Sequence, residues 1–185
     1  MSDAVPQPWA NSYAWGRWSA LGVSVAALTC LVDQALKFWL LFEFDLANRG
    51  RFPVIPFFDL ILTWNTGISY GLFPQQGPIG EWVLFAFKLA AVIVLWVWLA
   101  RATWRLTAAA LGLIIGGAIG NAIDRLAYGA VADFVLFHIT TTSFNFRWYV
   151  FNIADVAIVV GVAVLIYEML LGSEGAKKMM PTDRG

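Results

Sequence analysis

Four apolar stretches, each long enough to cross a membrane, dominate this sequence: roughly Trp18–Leu41, Trp82–Ala100, Leu106–Ile123 and Phe151–Leu171. A helix needs about 20 mostly apolar residues to span the hydrocarbon core, where every backbone polar group must find its partner inside the protein. Charged residues make up 13% of the chain, whereas a soluble domain has roughly a quarter. The sequence therefore predicts an all-α membrane protein, a four-transmembrane-helix bundle.

The four predicted spans form a single membrane domain, residues 18–171, with a tail at each end, residues 1–17 and 172–185. An even number of spans puts both tails on the same side of the membrane. Six basic residues then share that side and four lie on the other, which favours cytoplasmic tails by the positive-inside rule. We therefore expect both termini in the cytoplasm and outer loops at residues 43–81 and 126–150.

The two outer loops differ in composition. The first contains a β-leaning run, Phe57–Trp64, among the prolines Pro53, Pro56, Pro74 and Pro78. The second is rich in aromatic residues, which suit the headgroup layer at the ends of membrane spans. We expect a small strand-containing element in the first loop and interface anchors in the second.

Three acidic residues, Asp33, Asp124 and Asp155, lie inside the apolar stretches. A charge at membrane depth costs at least ~2.5–3.5 kcal/mol, so such residues persist mainly where they pair, face water or do chemistry. The predicted topology puts them near the outer ends of the spans, together with the other polar residues of the spans: Lys37, Lys88, Asn121, Arg125 and Asn152. The sequence therefore predicts one polar site near the outer face.

Local spacing suggests a structural role for several of these residues. Asp33 and Lys37 are i,i+4 neighbours that can pair on one helical face. Arg125 follows Asp124 directly, and we expect it to hold that carboxylate ionised and salt-bridged. The steps Gly112, Gly116 and Gly120 predict close helix packing.

The available chemistry is that of carboxylates. There is no nucleophile elbow, nothing aligns Ser69 with a lysine as a Ser–Lys dyad, and a zinc site is improbable with one histidine, His138, and one cysteine, Cys30. Two aspartates held close together share a proton, so that one can activate water while the other donates to a carbonyl. Asp155 is the better-placed base, and its partner is Asp33, Asp124 or Asp133. Asp133 is preferable because it has no basic neighbour in sequence and can carry the raised pKa that a proton donor needs.

Five motifs, in order along the chain, resemble those of the bacterial lipoprotein signal peptidases (signal peptidase II). They are Asp33–Lys37, Asn65–Gly71, Gly116–Arg125, Val131–Phe134 and Phe151–Asp155. The resemblance covers nearly the full length of the chain. It implies an aspartyl endopeptidase of the bacterial inner membrane that cuts prolipoproteins before the diacylglyceryl-modified cysteine.

Carried over residue by residue, the resemblance implies a catalytic dyad of Asp133 and Asp155. The matching positions that line or brace the site are Asp33, Lys37, Asn65, Gly120, Asn121, Asp124, Arg125, Asn152 and Ala154. It also implies a β-strand cradle in the first outer loop and a mobile segment in the second. The expected partners are lipidated precursors and membrane lipids; no cofactor, metal or nucleic acid is expected, and the chain is expected to be a monomer.

Two departures from the family pattern accompany this resemblance. The 22 residues from Asp133 to Asp155 are a few more than the family pattern suggests, with Thr140–Ser143 as the inserted segment. Val156 stands where a serine is common. Neither touches a catalytic group, so we expect an altered loop shape with retained activity.

Three other functions compete with this prediction. A proton-coupled transporter could use Asp33, Asp124 and Asp155 as a relay. It would need polar groups that reach the inner face, and we expect the inner halves of the spans to lack ionisable residues. A non-enzymatic bundle would use its ion pairs for stability alone. A presenilin-type protease would need a Gly-x-Gly-Asp motif, which residues 120–124 do not supply.

Overall fold

The computed structural model describes residues 14–66 and 90–179, and side chains as far as residue 171 in the last helix. Parts of several predictions lie outside these residues. They are most of the amino-terminal tail, the carboxyl-terminal residues 180–185, the first outer loop from residue 67 onward, the start of the second predicted span, and the side chains of Ser69 and Lys88.

Three helices are long and apolar enough to cross a membrane in the described part of the chain: Ser19–Glu43, Arg105–Tyr128 and Ile153–Leu171. The first consists of α1 (Ser19–Phe38) and a π-helical turn (Trp39–Glu43), and it is followed by the short α2 (Leu46–Arg49). The second predicted span is represented by a shorter apolar helix, α3 (Ala90–Ala100). The count of four spans therefore stays a prediction.

The remaining helices are α4 (Arg105–Tyr128) and α5 (Ile153–Met179). Helix α4 ends at Tyr128 and is followed by Gly129, whose φ of 76° lies in the left-handed region that favours glycine at a helix end. Helix α5 continues to Met179, eight residues beyond the predicted end of its span at Leu171. The predicted tail after residue 171 is therefore helical in its first part.

Helix α4 packs between α1 and α5, and its glycines make this approach close. A Cβ atom built on Gly112 would come 2.5 Å from the Gly22 carbonyl oxygen of α1, and one on Gly117 would come 2.5 Å from the Ala154 carbonyl oxygen of α5. Gly116 meets the backbone of Ala26 in the same way. The small-residue spacing thus indicates the packing face correctly, because only residues without side chains let the backbones approach so closely.

Four strands form one antiparallel sheet in the order β1 (Phe52–Ile55), β2 (Phe58–Asn65), β3 (Val131–Thr140) and β4 (Asn145–Phe151). Strand β2 occupies almost the same residues as the β-leaning run of the first outer loop. Strands β3 and β4 belong to the second predicted loop, where no strand was expected. The prediction of an all-α fold with strands only between the first two spans is therefore wrong, because the two predicted loops contribute two strands each.

An apolar cluster joins the sheet to the helices. Leu40 of the π-helical turn, Leu46 of α2 and Phe134 of β3 are each at most 2% exposed, and Ile153 of α5 packs against them. Burying a side chain of this size stabilises the fold by roughly 1.5–3 kcal/mol. Because Phe134 directly follows Asp133, this cluster holds the start of β3 against the first turn of α5.

Candidate active site

The start of β3 and the first turn of α5 bring Asp133 and Asp155 to one site. Asn152 caps α5: its side-chain oxygen accepts the Asp155 backbone N–H at 3.0 Å, and its own backbone N–H donates to Asp155 Oδ2 at 3.1 Å. This reciprocal arrangement is a capping box, with asparagine as the cap and aspartate three residues later. The cap that begins the helix therefore also orients the Asp155 carboxylate.

Two asparagine amides connect the carboxylates. The Asn152 amide nitrogen donates to Asp133 Oδ1 at 2.6 Å and to Asn121 Oδ1 at 3.0 Å. The Asn121 amide nitrogen donates in turn to Asp155 Oδ1 at 2.9 Å. Asn65, at the end of β2, donates to the other Asp133 oxygen at 3.0 Å. Both aspartates are thus held in one network of amide donors.

Asp133 is 2% exposed, and its environment favours the protonated form. Burial raises the pKa of Asp133 above its ordinary value of 3.8, and the nearby Asp155 carboxylate raises it further. The hydrogen bonds from Asn65 and Asn152 and the charge of Lys37 act in the opposite direction without cancelling the increase. A carboxyl group whose pKa is raised by burial and by a second aspartate is a feature of proton-sharing pairs.

Lys37 is the cation at the centre of a second, adjacent cluster. Its ammonium nitrogen lies 2.8 Å from Asp33 Oδ2 and 2.8 Å from Asp124 Oδ2, and it donates to Asn121 Oδ1 at 3.1 Å. All three ionisable side chains are at most 3% exposed. The predicted pair of Asp33 with Lys37 is therefore present, and Asn121 links this cluster to the two aspartates of the site.

The expected salt bridge between Asp124 and Arg125 is wrong. Asp124 pairs with Lys37 and accepts the Ala132 backbone N–H at 3.0 Å, while the exposed Arg125 donates to the Asn121 carbonyl oxygen at 3.2 Å. Consecutive residues of a helix point in directions about 100° apart and do not face each other. Arg125 therefore braces the last turn of α4 and leaves the carboxylate to a cation from another helix.

Gln34 is a site residue that the sequence analysis did not single out, although it lies within the first quoted motif. Its amide nitrogen lies 2.8 Å from Asp124 Oδ1, 3.1 Å from the Gly120 carbonyl oxygen and 3.3 Å from Asp33 Oδ2. The available signal was a polar side chain inside an apolar stretch, next to an acidic residue.

Gly120 and Ala154 contribute through their backbones. A Cβ atom on Gly120 would come 2.6 Å from Asp33 Oδ2, so the absence of a side chain lets the carboxylate lie against α4. The Ala154 backbone N–H donates to Asp33 Oδ1 at 3.0 Å. That N–H is one of the unpaired donors at the start of α5, and it ties α1 to the helix that carries Asp155.

Two further polar groups lie away from this site. Asp59 of β2 is buried and contacts Arg51 and His138, with His138 Nε2 3.1 Å from Asp59 Oδ2. Glu168 of α5 accepts a hydrogen bond from Thr107 Oγ1 at 2.8 Å near the opposite end of the bundle. The expectation that the inner halves of the spans lack ionisable residues is therefore wrong.

The site consists of carboxylate groups and of the N–H groups that donate to them. Among the described residues, no group of three or more histidine, cysteine, aspartate or glutamate side chains comes together in a way that could hold a metal ion. The chemistry that this geometry supports is proton transfer between Asp133, Asp155 and a bound molecule.

The fold is that of a known group of bacterial membrane proteins. Two solved structures, each described as a bacterial membrane enzyme studied by the in meso method, share this fold with TM-scores of 0.66 and 0.67. The first is 23% identical and the match covers 90% of this chain and 95% of that one. The second is 24% identical, with 86% and 98% covered.

Sequence comparison narrows this class to one family. The family model described as signal peptidase (SPase) II matches residues 25–171. A lipoprotein signal peptidase of Rhodopseudomonas palustris is 57% identical over 157 residues, 85% of this chain and 96% of the relative. One of Nitrobacter hamburgensis is 56% identical over 156 residues, 84% and 95% of the two chains. The chain belongs to the signal peptidase II family.

Proposed function

We propose that this chain removes signal peptides from prolipoproteins by cutting before the diacylglyceryl-modified cysteine, and that Asp133 and Asp155 are its catalytic dyad. The carrying observation is the amide network in which Asn152 donates to Asp133 at 2.6 Å while Asn121 donates to Asp155 at 2.9 Å. Family membership supports the substrate class, because the matched relatives are named lipoprotein signal peptidases.

The two aspartates have different roles in the proposed reaction. Asp155 acts as the base because it is the less buried of the two carboxylates, where water can reach it, and its cap at the start of α5 holds it in place. Asp133 acts as the proton donor, which agrees with a pKa raised first by burial and then by Asp155. Water loses a proton to Asp155 and attacks the carbonyl carbon of the scissile peptide, while Asp133 gives its proton to the carbonyl oxygen. Collapse of the tetrahedral intermediate breaks the C–N bond. The proton on Asp155 passes to the leaving amine, and Asp133 takes back a proton from a hydroxyl group of the intermediate, which regenerates both aspartates.

The cluster around Lys37 has a supporting role. It contains two carboxylates and one ammonium group, so it keeps one negative charge beside the dyad when all three are ionised. Asn121 contacts both Lys37 and Asp155, so the position of the Lys37 cluster also constrains the position of Asp155. Asp33, Lys37 and Asp124 therefore hold the site together, while Asp133 and Asp155 carry the proton transfers.

The location of the site suits a lipidated substrate. We place the termini in the cytoplasm and the site near the outer face of the inner membrane, where the cysteine-linked glyceryl group lies close to the headgroups. Water then reaches the dyad from the outer side, and the acyl chains stay in the hydrocarbon layer. A monomer contains every residue that this mechanism uses.

A cleavage assay tests the proposal. Purified protein in detergent is mixed with a diacylglyceryl-modified precursor or with the same precursor without lipid. Asp133→Asn and Asp155→Asn should each lower the rate at least about 10³-fold, within the range expected for loss of a general acid or base. Asp45→Asn is the matched control, because Asp45 is exposed and its φ of 52° is one that asparagine adopts readily.

The outcomes separate the parts of the proposal. Cleavage of the lipidated form alone, lost in both dyad variants and kept in the control, supports it. Normal cleavage by Asp155→Asn or Asp133→Asn removes that residue from the dyad. A folded, monodisperse protein that cleaves neither precursor contradicts the peptidase function, and proton flux in liposomes is then the next measurement.

A further inference from the structure

An apolar groove runs along the helices that are long and apolar enough to cross a membrane. It has a volume of about 420 Å³ and lies between α1, α3 and α4. Its walls include Ala27, Cys30 and Leu31 of α1, Trp96 of α3, and Ile115 and Ile119 of α4. None of the described residues that line it carries a charge. Its surface therefore suits a hydrocarbon chain and excludes a headgroup.

The groove extends toward the end of the bundle that carries the polar site. A second cavity of about 130 Å³ shares Trp96, Ile115 and Ile119 with the first and continues along α4 to Ala122. On α1, Gln34 follows Leu31 and Cys30 by three and four residues, so it stands on the same helical face one turn nearer the site. Gln34 itself contacts Asp124. The groove thus ends below the cluster that supports the dyad.

The depth of the groove matches one leaflet. Val23, a lining residue at its far end, precedes Asp33 by ten residues, which is about 15 Å along a helix axis. Half of the hydrocarbon core is also about 15 Å thick. A lipid whose glyceryl group lies at the level of Asp33 therefore has acyl chains that reach as far as the groove does.

We propose that this α1–α3–α4 groove binds one acyl chain of the diacylglyceryl-modified cysteine and so makes recognition of the precursor depend on chain length. The inference rests on the proposed function for the identity of the ligand. The occupant is the substrate's own chain because the groove shares α1 and α4 with the proposed site and ends at the cluster beside the dyad. Bulk phospholipid is the competing occupant.

Groove-filling variants test this in the cleavage assay. Ala27→Trp and Ile119→Trp fill the groove from opposite walls, and neither residue belongs to the catalytic network. Each should raise KM for a long-chain precursor about tenfold with little change in kcat, the loss expected when roughly two methylene groups lose their burial. The increase should be several times smaller for a precursor with short acyl chains. Leu28→Trp is the matched control, since Leu28 is on α1, 63% exposed and outside the groove.

Equal KM values for the groove variants and the Leu28→Trp control on the long-chain precursor would overturn the inference. If either groove variant fails to fold, the other still reports on the same cavity from the second helix. A change in kcat alone, with KM unaltered for both precursors, also contradicts it, because a binding groove acts on substrate affinity.

Photo-crosslinking tests occupancy without relying on cleavage. A lipidated precursor with a diazirine near the end of one acyl chain is irradiated with the protein in nanodiscs, and adducts are located by mass spectrometry. Adducts on residues 23–31 and 115–119 are expected, and an excess of unlabelled lipidated precursor should abolish them. A diazirine phospholipid serves as the comparison. If it labels the same residues equally well and the precursor does not displace it, the proposal is overturned. Such crosslinks in a protein that cleaves nothing would contradict the peptidase function while leaving the groove occupied.

Discussion

The side-chain amide of Asn152 lies 2.6 Å from Asp133 Oδ1, and the same residue caps the helix that carries Asp155. One side chain therefore couples the start of α5 to the proposed proton donor. Asn152 is fully buried, so its amide has no water to replace a lost partner. This double role makes it the residue on which the relative positions of the two aspartates depend.

Replacing Asn152 by alanine should disrupt both connections. We expect Asn152→Ala to lower the cleavage rate at least about 10²-fold, since a small misplacement of catalytic groups has effects of that order. It should also lower the free energy of unfolding by about 1–3 kcal/mol, because buried partners lose their hydrogen bonds. The measurements are kcat/KM and unfolding in detergent. Asn145→Ala, at the exposed start of β4, is the control, and equal kcat/KM for the two variants would contradict the role of Asn152.

Lys37 should be required for folding because it faces two buried carboxylates. We expect Lys37→Met to lower the free energy of unfolding by about 3–5 kcal/mol, the usual result of leaving a buried charge without its partner. Adding Asp124→Asn should restore part of this stability, because one of the two unpaired charges is then removed. Unfolding of the single and double variants measures this, and a double variant less stable than Lys37→Met would contradict it.

Asp124→Asn by itself distinguishes support from catalysis. Because Asp124 contacts Lys37, Gln34 and the Ala132 backbone, the variant should be less stable but should keep measurable turnover at low temperature. Thermal unfolding and cleavage at two temperatures give the comparison. Normal stability with no turnover would instead move Asp124 into the catalytic dyad.

Asp133 should make stability decline as pH rises. Burial, the largest cause, raises the pKa of Asp133 above its ordinary value of 3.8. Below pH 3.8 the Asp133 carboxyl is protonated in both the folded and the unfolded chain. Between pH 3.8 and the pKa of the folded state, only the folded chain holds this proton. The free energy of unfolding therefore falls as pH rises through this range. Asp133→Asn should flatten the decline. Unfolding free energies across acid to neutral pH provide the test, and an unchanged slope would show that Asp133 is not responsible.

Asp59 should have the opposite effect. Burial acts to raise its pKa, but the contacts with Arg51 and His138 outweigh burial and hold the pKa of Asp59 below its ordinary value of 3.8. Ionised Asp59 therefore adds to the free energy of unfolding above pH 3.8, and this stabilisation is lost as pH falls through the pKa of the folded state. Asp59→Asn should lower the free energy of unfolding by about 1–2 kcal/mol at neutral pH and leave it unchanged at acid pH. The loss is small because the Arg51 side chain is 37% exposed, so that solvent screens the ion pair. Asp45→Asn provides the exposed comparison, and the same cost at both pH values would contradict the assignment.

The membrane class of the protein and the positions that meet at its candidate site can be predicted from the sequence. Apolar stretches of spanning length predict membrane helices, because the backbone polar groups in hydrocarbon must form their hydrogen bonds within the protein. The spacing of the glycines also indicates how α4 packs. The pairing of Asp33 with Lys37 can also be predicted, because residues four positions apart share a helical face. The family motifs pointed to the positions that the structure gathers around Asn121 and Asn152.

The contacts between residues of different helices and strands could not be predicted from the sequence and depend on how the elements pack. Asp124 pairs with Lys37, 87 positions earlier in the chain, and not with its neighbour Arg125, because adjacent helical residues diverge while packed helices bring distant ones together. Strands β3 and β4 join β1 and β2 into one sheet whose pairing depends on long-range register. Gln34 gains its role in the same way, from carbonyl and carboxylate groups of α4 that come within reach only when α1 packs against it.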